Sequence, residues 1–155
     1  MFEVGGALVA GVAREPRPSI QWRARARQLR ERQGSKPTMG RLTTHVLDTA
    51  HGVPAAGVAV TLYRSLDGRH ALVADAVTNA DGRLDAPLLQ GAGLSAGRYR
   101  LVFRAGDYFR ARGVSMPDPP FVDEVVVDFG MADADAHYHV PLLVSPWSWA
   151  TYRGS

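Results

Sequence analysis

Two histidines stand one residue apart near the end of the chain, in the stretch HYHVPLLVSPWSWATYRGS. Side chains two apart on an extended strand share a face, so His137 and His139 are expected to point the same way. Imidazole is the side chain that ordinarily titrates nearest neutral pH, and H-x-H on a strand is a common way to hold a metal ion. For the metal reading zinc is the candidate, but no carboxylate spacing nearby completes the ligand set, and His45 joins it only through the fold. His45 sits mid-strand in RLTTHVLD, where a histidine is commonly a hydrogen-bonded bystander. Arg83 closes the turn TNADGR, a place where arginine is ordinarily a solvated rim charge. His51 and His70 lie in or beside turns and are expected at the surface.

The terminal residues carry more information. Tyr152, Arg153, Gly154 and Ser155 follow a strand-like run containing Trp147 and Trp149, with no polar spacer. Each extended residue spans only ~3.3 Å, so Ser155 and its carboxylate are expected close to a sheet edge. An end held in this way is a structural feature, unlike an ordinary frayed tail.

The elements that would position these groups are strands. RLTTHVLD alternates, with Leu42, Thr44 and Val46 on one face and Thr43, His45 and Leu47 on the other. VAVTLYRSL and HALVADAVT flank the hairpin turn DGR, and NADGR is a second tight turn. RYRLVFRA, FVDEVVVDFG, HYHVPLLVS and WSWATYR read as further strands, and GDYFRARG as the one short helix. Pro141 falls inside a strand-like run and must sit where no ladder hydrogen bond is donated. Seven to eight short strands and one helix predict an all-β, two-sheet antiparallel sandwich. The absence of βαβ alternation and of Gly-rich phosphate motifs argues against a nucleotide-binding crevice.

The totals narrow the function further. The 155 residues suit one domain with an extension, and no cysteine is present, which excludes disulfides, thiolate catalysis and cysteine-bound zinc. The net charge of +3 divides unevenly: residues 1–38 carry +5, and residues 39–155 carry −2. A basic excess confined to the extension does not support nucleic-acid binding by the folded part. No apolar run is long enough to span a membrane. Residues 1–38, rich in arginine and proline, read as a disordered basic leader or a misplaced start, and residues 39–155 as the domain. GGALVAGVA is a short apolar run, but Glu3 stands where an export signal carries positive charge. The expected compartment is the cytoplasm, with periplasmic export the weaker alternative.

LTTHVLDTAHGVPAAGVAVTLYR and DAHYHVPLLVSPWSWATYRGS resemble the two signature regions of the 5-hydroxyisourate hydrolases, the transthyretin-related enzymes of purine and urate breakdown. TNADGR and GDYFRARG match the pattern between them, and the resemblance covers residues 39–155. It implies a transthyretin-like sandwich assembled as a homotetramer, a dimer of dimers, with 5-hydroxyisourate bound where dimers meet. It also implies catalytic roles for His45, Arg83 and His139. Substrate contacts then come from His45, Arg83, Tyr152 and Ser155, and no metal or organic cofactor is required. The product is 2-oxo-4-hydroxy-4-carboxy-5-ureidoimidazoline. One imidazole would activate water, the other protonate the leaving nitrogen, and the guanidinium steady the carbonyl oxygens. Three alternatives stand beside this: a small-molecule carrier on the same sandwich, a zinc-dependent hydrolase using His137 and His139, and a non-catalytic interaction domain.

Overall fold

A computed structural model describes residues 40–154. The expectations for the leader, residues 1–38, and for Ser155 lie outside the described residues.

The first strand, β1 (Arg41–Asp48), has the bounds the alternation predicts. Leu42, Thr44, Val46 and Asp48 are buried, while Thr43, His45 and Leu47 face outward and are half-buried. Beside it lies β8 (His137–Val144), with Tyr138, Val140, Leu142 and Val144 turned to the core and both histidines turned outward. These two strands run parallel and in register, so that Arg41 faces His137 and Thr43 faces His139. The rest of the pairing is antiparallel. A parallel pair needs a long crossover, and here the whole second sheet supplies it.

That second sheet has the order β4 (Arg69–Val77), β3 (Ala59–Leu66), β6 (Gly97–Arg104) and β7 (Glu124–Met131). Asp67 and Gly68 both take positive φ in the β3–β4 turn, the geometry that a two-residue hairpin favours. The helix α1 (Ala105–Ala111) follows β6 and buries Tyr108 and Phe109. Between the sheets lie Leu42, Val46, Leu62, Leu101, Phe103, Phe109 and Leu142, each fully shielded from solvent. Burying one such side chain contributes about 1.5–3 kcal/mol, which is why alternation over eight residues is enough to orient a strand.

The described residues hold nine strand segments rather than seven or eight, because β2 (Val53–Pro54), β5 (Leu89–Gln90) and β9 (Trp149–Thr151) are only two or three residues long. The predicted last strand is also shorter than expected. Trp147 belongs to the turn before β9, where its amide donates to the Ser145 hydroxyl at 3.2 Å. Past Thr151 the ladder breaks and then resumes in the same register, with Gly154 opposite His139. The break falls opposite Pro141, which has no N–H to donate; its carbonyl instead accepts the Thr151 hydroxyl at 2.7 Å.

Candidate active site

The outward face of β1 and β8 gathers the polar chemistry. His45 comes from β1, and His137 and His139 from β8. Arg83 arrives by a different route. The Asn79 side-chain carbonyl accepts the amides of Asp81 (3.0 Å) and Arg83 (3.2 Å), and the Asn79 amide donates to the Arg83 carbonyl at 2.7 Å. This tight turn docks on β1 through Gly82, whose carbonyl accepts the Val46 amide at 2.8 Å. Gly82 has φ +70°, and any Cβ there would run into the Val46 carbonyl oxygen. Glycine is therefore required, and the docking sets Arg83 in a β-bridge opposite His45. The motif TNADGR is thus a device for delivering a guanidinium to the middle of β1.

The two strands and the turn leave an open cleft of about 490 Å³, lined among others by Arg41, Thr43, Arg83, Asp85, His137 and His139. A larger hollow of about 920 Å³ lies near the β3–β4 turn. Two of its polar groups are already engaged: His70 meets the Ser65 hydroxyl at 2.9 Å, and Asp128 is held by Arg100 at 2.8 Å. The histidine cleft, in contrast, keeps uncommitted nitrogens, since His137 and His139 each bond Thr43 through one ring nitrogen. His45 is not among the lining residues; it stands beside the cleft, opposite Arg83, with Nε2 buried and no hydrogen-bond partner among the described residues. His139 commits Nδ1 to the Thr43 hydroxyl at 2.9 Å.

Burial and neighbouring charges favour the neutral form of these rings. Desolvation lowers the pKa of His139, and Arg83, His45 and His137 push it further down. His45 is lowered by desolvation and then by Arg83, against an opposing pull from the backbone and charge of Asp81. His137 is lowered by desolvation and by Arg41. Neutral imidazoles are the form that can accept a proton from water at neutral pH.

His45, Arg83 and His139 therefore sit on one patch, as three mutually interacting groups. Tyr152 is 60% exposed and outside the cleft lining, without the β-bridge to Arg83 that ties in His45. Gly154 joins the patch, with its amide donating to the His139 carbonyl at 2.8 Å. Arg153 places its guanidinium 4.9 Å from the Tyr138 ring. Among the described residues no group of three His, Cys, Asp or Glu is arranged to hold a metal ion, and His137 and His139 are instead joined through Thr43. Thr43 is the residue that the sequence reading missed. It has the look of any outward strand threonine, and only the parallel register sets it against β8.

Residues 42–154 match the HIUase/Transthyretin family. Among curated proteins the chain is 58% identical to the 5-hydroxyisourate hydrolase of Pseudomonas aeruginosa over 122 residues, which cover 79% of this chain and 97% of that protein. It is 61% identical to 5-hydroxyisourate hydrolase 2 of Rhizobium meliloti over 117 residues, 75% of this chain and 97% of that protein. Among solved structures, 5-hydroxyisourate hydrolase of Klebsiella pneumoniae superposes with a TM-score of 0.63 at 39% identity, over 76% of this chain and all of that one. An (S)-allantoin synthase superposes with a TM-score of 0.72 at 43% identity over 82% of this chain; the chain spans about half of that protein, 48%.

Proposed function

Since this chain belongs to the HIUase/Transthyretin family, we propose that it hydrolyses 5-hydroxyisourate to 2-oxo-4-hydroxy-4-carboxy-5-ureidoimidazoline, a step of urate breakdown. The observation that carries this reading is the convergence of His45, Arg83 and His139 on one face, where desolvation and Arg83 both favour the neutral imidazoles. A carrier needs a shaped hollow and has no use for bases beside a guanidinium.

In the proposed mechanism, substrate lies in the cleft with a ring carbonyl oxygen facing Arg83. The planar guanidinium binds that oxygen and meets the negative charge that develops on it as water adds. One of the two imidazoles takes the proton from water as the C–O bond forms. The ring C–N bond then breaks, and the departing nitrogen takes a proton from an imidazole. The Ser155 hydroxyl, next in the chain after Gly154, would contact substrate, and Tyr152 would reach it across an assembled site. No metal or organic cofactor takes part.

Self-association completes the proposal. β9 is a sheet edge with Trp149 45% and Tyr152 60% exposed, beside Trp147 at 57%. Such an edge invites pairing with a second copy. Two such dimers packed face to face would shelter the open histidine cleft. None of the helices among the described residues is long and apolar enough to cross a membrane. The proposed compartment is the cytoplasm, since Glu3, ahead of the apolar run GGALVAGVA, is acidic where an export signal carries positive charge.

The test is an absorbance assay on 5-hydroxyisourate made fresh by urate oxidase, with and without the purified chain. Faster decay of the intermediate, lost in His139→Ala and Arg83→Ala variants that still fold, is the expected result. Decay unaffected by the protein would refute the reading.

A further inference from the structure

Thr43 touches both histidines of β8: its Oγ1 lies 3.1 Å from His137 Nε2 and 2.9 Å from His139 Nδ1. A hydroxyl has one proton to donate and two lone pairs to accept with, so it can join two neutral rings by donating to one and accepting from the other, which leaves its own proton engaged. In that arrangement the two bonds share a direction, and they can run either way. In one sense His139 Nδ1–H donates to Thr43, Thr43 donates to His137 Nε2, and His139 Nε2 carries a free lone pair. In the other sense every proton has moved one place, and His139 Nε2 carries the proton. The first form is a base towards the cleft, and the second is an acid.

We propose that Thr43 and His137 form a proton path with His139, which lets His139 alternate between base and acid while the ring stays neutral. This rests on the hydrolase reading of the same cleft. Hydrolysis of a ring C–N bond asks for both functions in turn. Water must lose a proton as the C–O bond forms. The nitrogen leaving as the C–N bond breaks must gain one, since it ends in a neutral ureido group.

The protons balance along the path. His139 Nε2 takes the proton of water, its Nδ1 proton moves to Thr43, the Thr43 proton moves to His137 Nε2, and His137 Nδ1 releases one to solvent. Reversal then delivers the Nε2 proton to the leaving nitrogen and draws one from solvent through His137. The carboxyl group of the product ionises separately.

The surroundings favour this over a charged intermediate. Arg83, His45 and His137 all oppose an imidazolium at His139, and Arg41 opposes one at His137. A path that moves protons without building charge avoids that penalty. His137 lines the cleft and is half-buried, and among the described residues nothing hydrogen-bonds its Nδ1.

The experiment uses the full chain and freshly made 5-hydroxyisourate. Thr43→Val keeps the shape and removes the hydroxyl, Thr43→Ser keeps the hydroxyl, and His137→Ala removes the solvent end. Thr43→Val and His137→Ala should lose about tenfold or more in kcat with KM changed less than about twofold, while Thr43→Ser holds kcat near that of the parent. Added imidazole should restore His137→Ala in proportion to its concentration, a rescue that a structural role would not give. Parental kcat in either Thr43→Val or His137→Ala would overturn the proposal. So would a Thr43→Ser as slow as Thr43→Val, or a His137→Ala loss that imidazole leaves unchanged. A parent protein without turnover would instead remove the hydrolase reading and this proposal with it.

Discussion

The Cα of Gly154 lies directly against the imidazole of His139: a Cβ built on this glycine would come 2.6 Å from His139 Cδ2 and 3.2 Å from its Cβ. The same glycine donates its amide to the His139 carbonyl at 2.8 Å, so backbone and ring are held by one residue. Gly154 thus braces the ring from the side opposite Thr43.

Gly154→Ala should therefore act on catalysis more than on stability. A methyl group there must push the ring or lift the tail, and a displacement of about 1 Å at a reacting group costs on the order of a hundredfold in rate. The core contains none of the tail residues, so the melting temperature should stay near that of the parent. Steady-state kinetics beside a thermal melt checks this. A variant with full activity would show that the ring position is set elsewhere.

Activity should hold through neutral pH and fall only on the acid side, below the ordinary histidine value of 6.5. His45 and His139 are both pushed below that value, by desolvation and then by Arg83. In the unfolded chain these histidines take protons near 6.5, whereas the folded protein resists them, so stability too should decline as pH falls below that point. Arg83→Gln removes one of the opposing charges. It should raise the acid limb of kcat/KM towards 6.5 while lowering kcat/KM itself by about 10²–10³. A limb that stays put or moves down would contradict the electrostatic account.

Strands with continuous alternation were legible in the sequence. β1 has its predicted bounds, and the helix over GDYFRARG is shifted by a residue or two. Segments of two residues, such as β2 and β5, show no periodicity for a reader to find. The partnership of β1 with β8 is non-local, so nothing near Thr43 announces that its hydroxyl will sit between two histidines more than ninety residues away. Arg83 could be marked only by resemblance, because the step that matters, Gly82 docking on Val46, joins a turn to a distant strand. Asp48 is hidden for a different reason. It reads as a polar strand end, yet it is 1% exposed.

Chelation should leave turnover unchanged. Exhaustive treatment with a strong chelator, followed by the absorbance assay, should give the parental rate, because in the proposed chemistry the imidazoles and Arg83 activate water and meet the oxyanion unaided. Activity lost with metal removal and regained with zinc would instead favour the reading in which His137 and His139 are ligands.

The buried carboxylate of Asp48 should stabilise the fold without serving the site. Its Oδ1 accepts the amides of Ala50 and His51 at 3.0 Å, and its Oδ2 accepts from the His51 ring at 2.7 Å and from the Tyr108 hydroxyl at 2.9 Å. Burial alone would raise its pKa, but the hydrogen bonds from His51 and Tyr108 outweigh that and the net direction is downward. The contribution is therefore present above the ordinary value of 3.8 and is lost as pH falls through the depressed folded value. Tyr108 belongs to α1, so this bond ties the helix to the core-facing side of β1, away from His45. Tyr108→Phe should cost about 1.5–3 kcal/mol in urea unfolding at neutral pH, the range for a hydrogen bond to a charged group. The same substitution should cost less once acid has protonated Asp48, and kcat should stay near parental at neutral pH. An equal cost at both pH values would mean that Tyr108 acts through packing and that the charged bond carries little.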